Sequence, residues 1–263
     1  SMGMKVTFGK GIDSINGKEK VESVTIAGEE IPCDIVVMAV GMRANTKLAE
    51  SAGCKISDGV VLVNNKMQTT VKDIYATGDL VGTYSRMDRS PTTMQLATSA
   101  FRQGMAAGIN AAGGSAEYPG AMNTFLTVIH GLEIAATGYN LETAKKLGYD
   151  AMGISTRGDV KPHYMPECSQ INLRVIVDKS CGRILGAQAI GEEGAAWRIN
   201  VFALAIHGNM TLYDLLDTEL AYNPPVSQMY DPITQLAEIG IKRLRLPPRE
   251  CVDPFFPEKR DAE

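Results

Sequence analysis

Runs of apolar residues separated by turn-forming positions predict short β-strands in the first half of the chain. The longest run, residues 35–40, is continuously apolar, which is typical of a strand buried on both faces. Residues 45–53 have the pattern of a short helix closed by a glycine, and residues 91–114 predict a long helix with a proline in its first turn. Further strands are predicted at residues 5–8, 21–26, 60–63 and 73–77.

The second half of the chain alternates helices with longer strands. Asn140 is a typical N-cap for a helix over residues 140–147, which Gly148 terminates. Apolar runs at residues 171–177 and 184–190 flank the turn-forming sequence DKSCGR, so a β-hairpin is predicted there. Other strands are predicted at residues 132–137 and 149–156, and other helices at 195–207, 212–216 and 232–244.

This order of elements predicts an α/β region followed by an α+β domain. Residues 114–121, GSAEYPGA, have the composition of a linker, so we place a domain boundary within that segment.

Composition and charge narrow the class of protein. The 263 residues are 44% hydrophobic and carry 26 basic and 30 acidic side chains, a formal net charge of −4, which is typical of a soluble globular protein. No apolar run approaches the roughly 20 residues that a membrane span needs, and the amino terminus lacks a signal-peptide pattern. We therefore expect a cytoplasmic protein with neither a membrane nor a nucleic acid as its partner.

The 5 cysteines are scattered, without a C-x-x-C pair, which argues against a disulfide framework and against a zinc site. The 3 histidines have no ligand-like spacing either, so no metal site is predicted.

The strongest local pattern is TTVKDIYATGDL at residues 69–80. A strand that ends in Gly78 and Asp79 would place a carboxylate at the edge of a sheet, where the glycine lets a ligand approach the backbone. Such a carboxylate can accept hydrogen bonds from polyol hydroxyl groups. The alternative is a turn aspartate that caps the following segment.

The pattern T-x-x-x-x-Y-A-T-G-D resembles the second FAD-binding segment of the FAD-dependent pyridine nucleotide-disulfide oxidoreductases. Upstream, PCDIVVMAVGMRANTKLAESAGC resembles the end of the nicotinamide domain of that family. Downstream, LATSAFRQGMAAGINAAGG resembles the helix whose amino end faces the flavin. The segments TGYNLETAKKLGYD, HYMPECSQINLRVIVDKSCGRILGAQAIGEEG and ELAYNPPVSQMYDPI resemble the dimerisation domain of one branch, which contains NADH oxidases, coenzyme A disulfide reductases and persulfide reductases.

The resemblance implies a partial FAD/NAD(P)-binding domain followed by an α+β dimerisation domain. It places the end of the nicotinamide-binding domain at residues 1–43 and the second FAD segment at residues 44–120. The dimerisation domain would follow at residues 121–250, with a tail at 251–263.

The resemblance also implies roles for five residues at the cofactor. Asp79 would accept hydrogen bonds from the ribityl chain of FAD, and Gly78 would permit that approach. The backbone at Leu96 and Ala97 would face the pyrimidine edge of the flavin, where a helix amino terminus stabilises negative charge. Gly41 would lie where the chain crosses between domains.

Three aromatic residues match catalytic positions of the family. His163, Tyr164 and Tyr222 would reach across a homodimer toward the redox cysteine of the partner and the thiol of coenzyme A or another small thiol. A phenol can hydrogen-bond a developing thiolate. The alternative is that these are packed aromatic residues of an interface.

Cys168 follows Tyr164 by four residues, and an exposed thiol there could react with coenzyme A or with sulfur species. The alternative is a small loop residue without a redox function.

The printed sequence contains neither the two G-x-G-x-x-G segments of the family nor its redox cysteine region, so it resembles a carboxyl-terminal half. We expect the full-length parent to pass electrons from NAD(P)H through FAD to a disulfide, a persulfide or dioxygen, and this chain alone to be inactive. Two other hypotheses remain open, a non-catalytic dimerisation or binding module and an independent flavin-binding protein. The sequence leaves the acceptor and the choice between NADH and NADPH undetermined.

Overall fold

The computed structural model describes residues 5–248, and the chain divides into two compact units, residues 1–43 and 44–263. The predicted tail at residues 251–263 lies outside the described residues. The first unit contains a three-stranded antiparallel sheet in the order β1-β2-β3. Its strands are β1, Ser14–Asn16, β2, Ser23–Ile26, and β3, Glu29–Pro32.

Two strand predictions in the first unit are wrong. Residues 5–8 and 35–40 have no regular secondary structure, and Ile35, Val37 and Val40 are 79%, 82% and 81% exposed. A strand that is buried on both faces needs hydrogen-bonded neighbours and covering side chains. Among the described residues of this unit, no strand pairs with residues 35–40, so their apolar side chains remain at the surface.

The second unit begins with a four-stranded sheet in the order β4-β5-β6-β7, in which β5 and β6 are parallel and the other pairs are antiparallel. Val61 and Val81 on the two parallel strands are buried with Cys54. The strands are β4, Ile56–Ser57, β5, Val60–Leu62, β6, Val81–Tyr84, and β7, Pro91–Thr93; the helices of this region are α1, Lys47–Ser51, and α2, Ala97–Ala111.

The structure corrects two predicted elements here. Residues 73–77 form no strand, because Asp73 has a positive φ of 63° and only an isolated bridge joins Tyr75 to Gln68. The predicted helix over residues 91–114 is shorter, because Pro91 lies in the edge strand β7, a position that proline tolerates. The helix begins at Ala97 instead.

The remainder of the second unit is a five-stranded antiparallel sheet, in the order β10-β11-β12-β9-β8, with helices packed against it. The Asn140 side chain accepts a 2.8 Å hydrogen bond from the amide of Thr143, which confirms the predicted cap. The strands are β8, Phe125–Ile129, β9, Leu132–Gly138, β10, Ala151–Asp159, β11, Gln170–Asp178, and β12, Ile184–Gly191; the helices are α3, Leu141–Lys146, α4, Ala195–His207, α5, Leu212–Asp217, and α6, Pro232–Leu244.

The main hydrophobic core lies between this sheet and its helices. Helix α4 packs on β12 and β9, and helix α6 packs on β10 and β11. Val175 on β11, Phe202 on α4 and Leu236 on α6 have no exposed surface. The predicted hairpin is confirmed as β11 and β12, with an irregular register between Ile176 and Val177. Within the described residues, no helix is long and apolar enough to cross a membrane.

Candidate functional site

Gly78 and Asp79 lie in a single 3₁₀ turn, Gly78–Leu80, directly before β6. Gly78 has a φ of +83°, a conformation that side chains disfavour. Its amide donates a 2.7 Å hydrogen bond to Oε1 of Gln103 on α2. A Cβ atom at position 78 would lie 3.7 Å from the Cβ atom of Ala100 on the same helix. The turn therefore packs directly against α2.

Asp79 is exposed on this turn. Its backbone carbonyl accepts a 3.3 Å hydrogen bond from Nε2 of Gln95, two residues before α2 begins. Within residues 5–248, no hydrogen bond or salt bridge involves the Asp79 carboxylate, so it does not cap the following segment. The carboxylate is thus available to accept hydrogen bonds from a ligand.

The first turn of α2 presents backbone donors beside the Asp79 turn. The N-cap residue is Leu96, which has extended backbone angles and no side chain able to accept a hydrogen bond. The amides of Ala97, Thr98 and Ser99 consequently lack a capping side chain, as the first amides of a helix do unless a partner is supplied. The helix is 15 residues long, and its positive dipole end lies here.

Gln103 is a site residue that the sequence analysis missed. It has no exposed surface, and its Oε1 atom holds the Gly78 amide. Its Nε2 atom is buried without a hydrogen-bond partner among the described residues. The available signal was its spacing: Gln103 lies three residues after Ala100 and four before Ala107, on a helix face of small residues, and a buried amide there needs a polar partner.

Gly41 belongs to the first unit, where it has a φ of +99°. The turn and α2 belong to the second unit. The structure therefore brings together Gly78, Asp79, Leu96 and Ala97, and it describes Gly41 separately.

The three aromatic residues predicted at a thiol site are neighbours. The rings of His163 and Tyr164 lie edge to face, with centroids 5.9 Å apart. A hydrogen bond with Tyr164 raises the pKa of Tyr222 above its usual value, with smaller contributions from desolvation and from the Tyr164 charge. Tyr164 is 66% exposed and Tyr222 is 45% exposed, so both rings are accessible.

Cys168 lies in the same loop as Tyr164, where its thiol is half-buried and donates to the carbonyl of Lys161 at 3.1 Å. This contact favours the structural interpretation of Cys168, and its reaction with a small thiol stays a prediction. Among the described residues, no group of three or more His, Cys, Asp or Glu side chains is arranged to hold a metal ion.

A glycine-aspartate turn held against a long helix, ahead of an antiparallel sheet, is the arrangement expected of a dinucleotide-binding fold. The chain belongs to the pyridine nucleotide-disulphide oxidoreductases. The model of that family matches residues 1–104, and the model of its dimerisation domain matches residues 124–232.

Curated relatives share about a third of their residues with this chain. The CoA-dependent NAD(P)H sulfur oxidoreductase of Pyrococcus furiosus is 38% identical over 227 residues, which are 86% of this chain and 51% of the relative. The NADH oxidase of Methanocaldococcus jannaschii is 35% identical over 242 residues, which are 92% of this chain and 54% of the relative. The chain thus spans about half the length of the curated relatives it matches.

Solved structures agree with this assignment. The NAD-dependent persulfide reductase from A. fulgidus superimposes with a TM-score of 0.85 at 34% identity, covering 90% of this chain and 45% of that one. The reduced CoADR-RHD of Bacillus anthracis gives a TM-score of 0.83 at 30% identity, covering 90% of this chain and 42% of that one. The fold predicted from sequence, a partial dinucleotide-binding region followed by a dimerisation domain, is confirmed.

Proposed function

We propose that this chain supplies the second FAD-binding segment and the dimerisation domain of a homodimeric, FAD-dependent NAD(P)H oxidoreductase. Its acceptor would be coenzyme A disulfide, a related persulfide or dioxygen, as the names of the relatives suggest. The observation that carries the proposal is the Gly78–Leu80 turn, which holds an unpartnered carboxylate beside the uncapped start of α2.

The residues of this turn fit FAD. A carboxylate accepts hydrogen bonds from hydroxyl groups, so Asp79 suits the ribityl chain. Gly78, whose φ of +83° favours glycine, places no Cβ atom beside it. The amides that follow Leu96 suit the flavin pyrimidine edge, because donors at a helix amino terminus stabilise negative charge. When bound, FAD would supply the two-electron chemistry between NAD(P)H and the acceptor.

The tyrosine pair fits a thiol subsite. We assign Tyr164 as the residue that donates to the thiolate of a departing or attacking thiol, and Tyr222 as the residue that orients the Tyr164 oxygen. His163 packs edge to face against Tyr164 and would hold its ring. The thiol would be coenzyme A or another small thiol, with the redox cysteine supplied by the second subunit.

A homodimer accords with the exposed apolar residues of the sheet edge. Phe125, Leu126, Val128 and Ile129 on the edge strand β8 are 43–62% exposed, which is unusual for a free strand edge. Among the described cysteines, all four are free thiols, which accords with a reducing, cytoplasmic location.

We also propose the domain limits. Residues 1–43 would end the nicotinamide-binding domain, residues 44–120 would form the second FAD segment and residue 121 would begin the dimerisation domain. Gly41 would lie at the crossing between the first two.

The test uses the protein expressed from its complete gene. We expect it to purify with FAD and to oxidise NAD(P)H with coenzyme A disulfide, a persulfide or dioxygen. Asp79→Asn should lower the FAD content several-fold, because asparagine offers one uncharged acceptor oxygen in place of the two charged oxygens of the carboxylate, whereas the matched control Asp73→Asn should retain FAD. A colourless, dimeric protein that binds no added FAD would contradict the proposal and favour a non-catalytic dimerisation module.

A further inference from the structure

Two loops of the second unit carry the proposed thiol site. Residues 160–169 join β10 to β11 and contain Tyr164, and residues 218–231 join α5 to α6 and contain Tyr222. Both tyrosine rings are exposed, so burial in the core does not fix their spacing. The distance between the two hydroxyl groups must therefore be set by contacts between the loops.

A side-chain amide of the second loop donates to the backbone of the first. The Nε2 atom of Gln228 donates to the carbonyl of Lys161 at 2.9 Å. Lys161 lies three residues before Tyr164, and Gln228 lies six residues after Tyr222. The same Lys161 carbonyl accepts from the Cys168 thiol at 3.1 Å, which closes the first loop on itself.

The ends of the loops are fixed by a buried ion pair. Arg198 on α4 has no exposed surface; its Nε and Nη2 atoms donate to Asp231 at 3.1 and 2.6 Å. The Nη2 atom also donates to the carbonyl of Val160 at 3.4 Å. Asp231 caps α6 by accepting from the amide of Ile233 at 2.9 Å. Arg198 thus joins the first residue of one loop to the last residue of the other.

Lys161 is also held on its side-chain end. Its Nζ atom lies 3.2 Å from Oε1 of Glu193, and its side chain is only 12% exposed. The Ser169 hydroxyl donates to the same Glu193 oxygen at 3.2 Å. Lys161 is therefore held in place by its neighbours, and the loop that carries Tyr222 is attached to its carbonyl through Gln228.

We infer that Gln228 is a positioning residue for the thiol site, and that its bond to the Lys161 carbonyl holds the loop of Tyr222 beside the loop of Tyr164. This inference rests on the proposed function for its catalytic meaning, but the geometry of the tyrosine pair can be measured without turnover. Without the Gln228 amide, the outer part of the second loop is no longer attached to the first. Tyr222 is then free to move away from Tyr164.

The experiment compares Gln228→Met with Gln235→Met. Each substitution removes a side-chain amide that donates to a backbone carbonyl, at 2.9 Å to Lys161 for Gln228 and at 2.8 Å to Tyr230 for Gln235, but only the first bond joins the two loops. Tyrosine labelled with ¹³C at Cζ is titrated by NMR, and the Tyr222 resonance is assigned with Tyr222→Phe. We expect the pKa of Tyr222 to fall toward 10.0, the value of an unperturbed tyrosine, in Gln228→Met and to stay raised in Gln235→Met.

An unchanged pKa of Tyr222 in a folded Gln228→Met protein would overturn the inference. If that variant does not fold, Gln228→Asn shortens the side chain by one methylene and keeps its polarity, and the same titration decides. Turnover separates the two proposals. If Tyr222→Phe leaves reduction of coenzyme A disulfide unchanged, the catalytic assignment is wrong, while the titration still decides whether Gln228 positions the pair.

Discussion

The amide of Gly78 donates to Oε1 of Gln103 at 2.7 Å, and Gln103 is a side chain without exposed surface. The bond joins the turn that carries Asp79 to helix α2. A ligand that contacts both therefore meets a turn and a helix fixed relative to each other by one buried amide group.

Replacing Gln103 with leucine should loosen this connection. The Gly78 amide would lose its acceptor, and a buried donor left unpaired costs about 1–3 kcal/mol. We expect a loss of free energy of unfolding of that order, together with weaker FAD retention. Urea unfolding measures the first and flavin absorbance after dialysis measures the second.

The control for that change is Arg102→Leu, on the exposed side of the same helix. A surface substitution of this kind typically changes stability by less than about 0.5 kcal/mol. If Gln103→Leu and Arg102→Leu lost the same stability and the same FAD retention, the Gly78–Gln103 hydrogen bond would make no measurable contribution to either.

Replacing Gly78 and Gly104 with alanine should change the free energy of unfolding in opposite directions. Gly78 has a φ of +83°, so Gly78→Ala should cost about 1–2 kcal/mol even though its Cβ would meet only an ordinary contact. Gly104 lies inside α2, and a Cβ there would meet nothing within 4 Å. Gly104→Ala should therefore stabilise the protein by roughly 0.5–1 kcal/mol through helix propensity.

Thermal unfolding of the two variants checks this pair. A gain in stability from Gly78→Ala would show that the left-handed conformation of the turn is not maintained in solution.

The helices and the hairpin of the dimerisation domain follow from the sequence because local signals and packing agree there. Asn140 caps α3 as its side chain predicts, and the apolar runs on either side of DKSCGR form β11 and β12 within the core. At these positions capping, turn formation and burial favour the same structure.

The failures have a different physical origin. The apolar character of residues 35–40 predicts burial, yet Val37 is 82% exposed because no strand of the described chain pairs with it. Strand β8 was missed although it is apolar, and all of its residues are exposed. Both segments have the apolar composition of buried strands, but no other side chains of the described chain cover them. The sequence pattern and the observed burial therefore disagree. The cross-loop contact of Gln228 was also unpredictable, because Gln228 and Lys161 are 67 positions apart.

Tyr230, in the loop between α5 and α6, should ionise at an unusually high pH. Its hydroxyl donates to the carboxylate of Glu238, and this hydrogen bond, with desolvation and the Glu238 charge, raises the pKa of Tyr230 to about 12. A raised pKa in the folded state stabilises the fold fully at pH values below 10.0, the unperturbed value, and this stabilisation is lost as the pH rises through 12.

Ultraviolet absorbance at alkaline pH should therefore contain a phenol ionisation near pH 12 that belongs to Tyr230, one of the 9 tyrosines. Tyr230→Phe should remove it, and Glu238→Gln should move it to lower pH because the charged acceptor is lost. If the late ionisation persists in Tyr230→Phe, it belongs to another tyrosine and the assigned hydrogen bond does not control this titration.

The buried ion pair of Arg198 and Asp231 should contribute far more to stability than an exposed pair of the same protein. Asp231→Ala leaves the Arg198 guanidinium buried without its carboxylate and removes the α6 cap, and breaking a buried pair from one side costs about 3–5 kcal/mol. Glu142→Gln breaks the exposed bridge to Lys146, a 2.7 Å contact on α3, and should cost little because both side chains are solvated.

Chemical unfolding measures the stability that Asp231→Ala and Glu142→Gln each lose. A third variant, Asp231→Asn, separates the loss of charge from the loss of the helix cap. The asparagine oxygen can still cap α6, so Asp231→Asn isolates the loss of charge beside Arg198. A cost for Asp231→Ala no larger than that for Glu142→Gln would mean that Arg198 is solvated in solution. The two loop ends would then not be fixed as inferred from this ion pair.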